Sequence, residues 1–142
     1  MNSYRLVLVP PDKCRHEWKR VRDFLLPAIE RTNGRWNEAY VLASLVLNEQ
    51  LLWLVLDQAD ELCGAVTTEI IEYPLKKVFT LNFTGGDNWE DWNPEAFLVF
   101  NKFAADTGCD LIEFSGRAGF WKRFKEDGFE RSSVFYEKRI QK

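Results

Sequence analysis

CDLIEFSGRAGFWKRFKEDGF, residues 109–129, reads as a strand followed by a short helix. Asp110–Ser115 is a brief β-type run around Leu111, Ile112 and Phe114. Ala118–Asp127 carries Phe120, Trp121 and Phe124 at helical spacing, and Gly128 closes it. A second β-type run, Val134–Ile140, follows. A strand, a helix and a strand in that order point to a mixed α/β architecture.

Upstream, Asn93-Pro94-Glu95 predicts a helix start, with Asn as cap, Pro at the first position and an acid beside it. Ala96, Phe97, Phe100, Phe103 and Ala104 supply its inward face, and Gly108 ends it. Before it lie three strands: Leu51–Leu56, apolar enough to be central, then Cys63–Glu72 and Lys76–Thr84. Tyr73-Pro74-Leu75 makes a hairpin between the last two, and Gly85-Gly86 ends the third. Nearer the start, Tyr4–Val9 is a short strand stopped by Pro10-Pro11. A helix begins near Cys14, with Trp18, Val21, Leu25, Ala28 and Ile29 on one face and a kink or break expected at Pro27. Asn33-Gly34 ends it. Asn37 and Glu38 open a second helix with Val41, Leu42, Leu45 and Val46 as its stripe. The order is β-α-α-β-β-β-α-β-α-β: a mixed, mostly antiparallel sheet with helices on both faces.

The chain has 142 residues, 46% hydrophobic and 29% charged, which fits one domain spanning 1–142 and excludes wholesale disorder. No apolar run reaches the ~18–20 residues of a membrane span, so no membrane partner is expected. Met1–Arg5 has no secretory pattern, and Cys14, Cys63 and Cys109 are too widely spaced for a disulfide framework. The reading is cytoplasmic, or part of something assembled in a cytosol. With His16 as the single histidine and no C-x-x-C pair, no metal site is expected. Residues 33–116 hold four Lys/Arg against fourteen Asp/Glu, while both ends of the chain are net basic. Arg117, Lys122, Arg123 and Lys125, with Arg131, Lys138 and Arg139, could track a phosphate backbone. Overall acidity and the lack of a nucleic-acid motif make a solvated face the preferred reading, so nucleic acid is not an expected partner.

The element order, and residues 109–129 with their Gly128-Phe129 ending before a last strand, resemble the GNAT superfamily, the Gcn5-related N-acetyltransferases. More narrowly, N-G-R-W at 33–36, E-Y-P-x-K-K at 72–77 and G-G at 85–86 resemble small GNAT-like proteins of tailed phages and prophages. The resemblance implies a GNAT-like domain and, where activity is retained, acetyl-CoA as cofactor. In such enzymes a Q/R-x-x-G-x-G/A loop at a helix start cradles the pyrophosphate. The matching segment, residues 83–93, keeps two glycines but lacks the Arg or Gln and the spaced second glycine. Asp87, Glu90, Asp91 and Glu95 crowd it, and no Lys or Arg occurs from Val78 to Asn101.

If acetyl-CoA binds, the resemblance places Leu81, Phe83, Gly85, Gly86 and Asn88 along it, with a backbone N–H of Leu81–Phe83 on the thioester carbonyl. The Tyr that commonly serves as general acid falls at Phe124, which has no hydroxyl, and Arg117 stands where an Asn often opens that motif. Glu69, Glu72 and Glu113 are candidate general bases on strands beside the cleft. Two readings follow. One is a non-catalytic protein that binds other proteins, such as phage structural subunits in a virion, through Trp36, Trp89, Trp92 and Trp121 where these are exposed; a chain with 15% aromatics must bury most of them, so core is an equal reading. In it no cofactor is needed. The other is an acetyl-CoA-dependent N-acetyltransferase with an atypical phosphate loop.

Overall fold

The computed structural model describes residues 4–116 and 124–141. Its elements in chain order are β1 (Arg5–Val9), α1 (Pro11–Glu30), α2 (Glu38–Val46), β2 (Leu51–Leu56), β3 (Leu62–Tyr73), β4 (Lys76–Gly86), α3 (Trp89–Asp106) and β5 (Leu111–Phe114). The strands form one sheet in the order β1-β2-β3-β4-β5. Neighbours are antiparallel except β4 and β5, which run parallel because α3 carries the chain back between them.

The period-two alternation of β2 explains the layers. Leu52, Leu54 and Leu56 join Trp18, Val21, Leu25 and Ile29 of α1 and Val41 and Leu45 of α2 in one core. Trp53 and Val55 point the other way, into a core with Phe79, Leu81 and the α3 residues Trp92, Ala96, Phe97 and Phe100. The expected mixed sheet with helices on both faces is therefore present. Asn37 caps α2 as its sequence implies, its side-chain oxygen accepting the Tyr40 N–H at 2.9 Å.

Pro27 does not break α1, which continues to Glu30. It removes the bond to the carbonyl of Asp23, four residues back and on the exposed side, while Leu25 and Ile29 hold the last turns in the core. The third helix starts at Trp89, earlier than Asn93, because Trp92 is drawn into the core with no exposed surface. Gly85 and Gly86 end β4 as expected, but as its last paired residues, opposite Ala65 and Gly64, so the strand runs two residues past Thr84. Most of the expected helix 118–127 lies outside the described residues; within them, Lys125–Asp127 is a single 3₁₀ turn. The expected strand Val134–Ile140 is not formed. Residues 129–141 carry neither helix nor strand, since no described strand lies beside them to complete a ladder.

Glu38 locks the two helices of the first layer together. It accepts Arg22 Nε at 2.6 Å, Arg22 Nη2 at 3.0 Å and Trp18 Nε1 at 2.9 Å. The Arg22 and Trp18 hydrogen bonds hold its carboxyl down to about 2 from the ordinary 4.5. A depressed carboxyl contributes stability above its unfolded value, and that contribution fades as pH falls toward the folded value. Glu38→Gln is thus expected to lower the urea midpoint at pH 7 and to converge with the parent between pH 4.5 and about 2. A deficit of constant size across that window would assign the effect to packing instead.

Candidate functional site

The site is organised by one irregularity. Thr67 pairs with Phe83 but Thr68 pairs with Leu81, so Asn82 is an extra residue in β4. The bulge turns both Asn82 and Phe83 to the α1–α2 side. Phe83 enters that core, and Trp36, between the helices, meets it edge-on at 6.1 Å. Asn82 Nδ2 donates to Gln50 Oε1 at 2.9 Å and to Glu69 Oε1 at 3.0 Å. Buried Gln50 donates to Ser44 Oγ at 2.8 Å, and Ser44 donates to the Val41 carbonyl at 2.7 Å. A chain of hydrogen bonds therefore runs from α2 to the Glu69 carboxylate and fixes its orientation.

The bulge also marks where β4 and β5 part. Their last paired residues are Leu81 and Phe114, while β4 continues to Gly86. On the same side, Thr80 pairs with Glu69 and donates to Glu113 Oε1 at 3.2 Å. Glu69, Thr80 and Glu113 thus form a row across β3, β4 and β5. Glu72 is not in it. Three residues from Glu69 on the same strand, it faces the α3 side and pairs with Lys77 Nζ at 3.7 Å. Sequence reasoning singled out Glu69 and Glu113 but missed Gln50, Thr80 and Asn82.

The residues that the resemblance assigns to acetyl-CoA meet other demands here. Leu81 is buried in the α3-side core. The Phe83 N–H donates to Thr67 Oγ1 at 3.2 Å, so it is engaged rather than aimed at a carbonyl. A Cβ on Gly85 would lie 1.7 Å from the Phe24 carbonyl oxygen: α1 occupies the space a side chain would fill. On Gly86, at φ +148°, a Cβ would lie 2.5 Å from the Cys63 carbonyl oxygen. The Asp87 N–H donates to that carbonyl at 2.8 Å. Asn88 precedes α3 in the left-handed region at φ 56°, with Glu90 and Asp91 in the first turn. The two glycines serve helix and strand packing, and the acids suit the helix dipole. The faces of Gly85 and Gly86 are thus filled, and carboxylates rather than cations stand at the start of α3.

Phe124, at the expected acid position, is buried among Phe114, Phe97 and Phe129, with ring centroids 5.0, 5.6 and 5.8 Å away. It supplies packing, not a proton. Tyr136 is 91% exposed on the final segment. The aromatics open to either surface or core divide: Trp92 is fully buried, Trp89 stacks edge-on against it at 4.7 Å, and Trp36 is exposed. Trp121 lies outside the described residues. Among the described residues no group of His, Cys, Asp and Glu is placed to hold a metal ion, and no helix is long and apolar enough to cross a membrane.

No protein-family model and no curated protein matches the sequence. Solved structures do. The aminoglycoside acetyltransferase meta-AAC0020 from an uncultured soil metagenomic sample is 12% identical, with a TM-score of 0.70 over 99% of this chain and 98% of that one. A GCN5-related N-acetyltransferase from Ralstonia eutropha JMP134 is also 12% identical, with a TM-score of 0.65 over 96% and 98%. Glucosamine-6-phosphate N-acetyltransferase from Arabidopsis thaliana is 6% identical, with a TM-score of 0.61 over 99% and 100%. At such identities the common property is the backbone, and by it this chain has the fold of the GNAT acetyltransferases.

Proposed function

We propose that the chain is a GNAT-fold binding protein that acts on other proteins without acetyl-CoA. The observation that carries this reading is the seat of α1 on Gly85, together with the commitment of the Asp87 N–H to Cys63. A phosphate cradle needs open backbone donors at a helix start. Here Gly85 is seated against α1, the Asp87 N–H is engaged, and the first turn of α3 carries carboxylates. A protein partner is supported by exposed large side chains in and around α2: Trp36 before it, Tyr40 within it and Leu47 at its C-cap. The resemblance of residues 33–36, 72–77 and 85–86 to phage-type sequences makes virion proteins the first partners to try.

Calorimetry with acetyl-CoA tests the reading. No heat is expected at millimolar ligand, for the parent or for Asp87→Asn/Asp91→Asn. Micromolar binding by the parent would overturn it. Binding gained only by the variant would place the barrier in the charges and overturn the packing argument.

One observation favours the enzyme reading. Asn82 orients Glu69 where the strands part, which supports Glu69 as the acceptor of an amine's proton in that reading. Micromolar binding of acetyl-CoA would make that carboxylate the general base to test.

A further inference from the structure

The second helix is apolar on both of its sides. Val41 and Leu45 are fully buried in the core they share with α1 and β2, as one side of a surface helix should be. The other side of such a helix ordinarily carries charge. Residues 38–48, EAYVLASLVLN, hold one charged group, Glu38, and its bonds to Trp18 and Arg22 turn it to α1. What faces water is Ala39, Tyr40, Ala43 and, at the C-cap, Leu47. Tyr40 and Leu47 are 68 and 67% exposed. Spaced three and four residues apart, Tyr40, Ala43 and Leu47 form one line along the helix.

That line is its own complement. Ala43 sits at its middle and is small enough to let another helix approach closely. A second α2 turned end for end sets its Leu47 against Tyr40 and its Tyr40 against Leu47. Charge agrees. Residues 31–37, ahead of the helix, hold Arg31 and Arg35 and no acid, whereas residues 47–50, beyond it, hold Glu49 and no base. Arg31, Arg35 and Glu49 are all exposed. Arg35 already meets Glu137 at 2.6 Å, which leaves Arg31 as the cation for the Glu49 of a reversed copy. We propose that two copies pair α2 with α2, antiparallel, about a two-fold axis through Ala43. Such a contact uses the same surface on both copies and closes on itself. A nine-residue helix makes it smaller than the roughly 1,600 Å² of a standard interface, so the dimer is a dissociable one. The pairing names the partner of α2 and rests on the reading of that surface as a binding site; acetyl-CoA has no part in it.

Sedimentation equilibrium without ligand, over a concentration series reaching the submillimolar range, tests this. The parent is expected to rise from 16.7 kDa toward twice that mass, and Ala43→Arg to stay at 16.7 kDa with the parent's circular dichroism. Ala43→Cys under a mild oxidant is expected to give a disulfide-linked dimer, because the axis sets the two thiols face to face. Leu98→Cys, exposed on α3, is expected to give no more of it than the parent. A parent that stays monomeric would overturn the pairing, as would an Ala43→Arg chain that still dimerises, or Leu98→Cys linking as readily as Ala43→Cys. Because the mass is read without acetyl-CoA, a monomeric parent overturns the pairing alone, whereas micromolar acetyl-CoA binding overturns the proposed function alone.

Discussion

Gly85→Ala is expected to destabilise the protein by about 3 kcal/mol, the upper part of the range for overpacking a closed site. The added Cβ would stand 1.7 Å from the Phe24 carbonyl oxygen and 2.6 Å from its carbon. Those atoms belong to the backbone of α1, so no rotamer change can clear them. The helix would have to lift, and with it Val21 and Leu25, both fully buried against the sheet. Gly108→Ala is the control. That glycine has φ +78° and nothing within 4 Å of a built Cβ, so its replacement should cost only about 1 kcal/mol of backbone strain. Urea unfolding with an unchanged slope measures both. If the two variants are equally mild, α1 does not rest on β4 at Gly85, and the structural reading of the glycine pair falls with it.

Trp92→Ala is expected to cost about 3–5 kcal/mol, as truncating a closed core aromatic does. The indole lies over Gly64, where a Cβ would come within 2.9 Å of Cζ2, and no part of the side chain meets solvent. Its Nε1 donates to the Asp87 carbonyl at 2.9 Å, tying α3 to the end of β4. Trp92→Phe keeps an aromatic ring but loses that bond and some volume, for about 1–2 kcal/mol. Equilibrium unfolding of the pair separates the two contributions. A cost below 1 kcal/mol for the alanine variant would mean that the pocket collapses around the loss.

The residues disclosed element order well and the site poorly, for a physical reason. Strong periodicity survives in isolation: β2 has the bounds its apolar run implies, and the Asn37 cap is local chemistry. The bulge is not local. Phe79, Leu81 and Phe83 alternate as if they shared one face, yet the register against β3 sends Phe83 to the other. Asn82 therefore reads as an ordinary outward polar residue, and its link from Gln50 to Glu69 joins the turn before β2 to β4 and β3. The glycine pair read as a loop because Gly-Gly commonly is one. What those glycines accommodate, Phe24 and Cys63, is distant in sequence. Trp89 and Trp92, flanked by acids, were open to surface and core alike. Val134–Ile140 has strand propensity, but propensity does not supply the neighbouring strand that a ladder requires.

Because β2 feeds Leu52, Leu54 and Leu56 to one layer and Trp53 and Val55 to the other, the two layers share a single ruler. Deleting one residue there would not merely remove a contact. Every side chain downstream would change sides at once, handing an indole to the slot shaped for a leucine. In this segment spacing is therefore held more tightly than identity: aliphatic exchanges can be absorbed one at a time, whereas a change of length must disrupt both layers together.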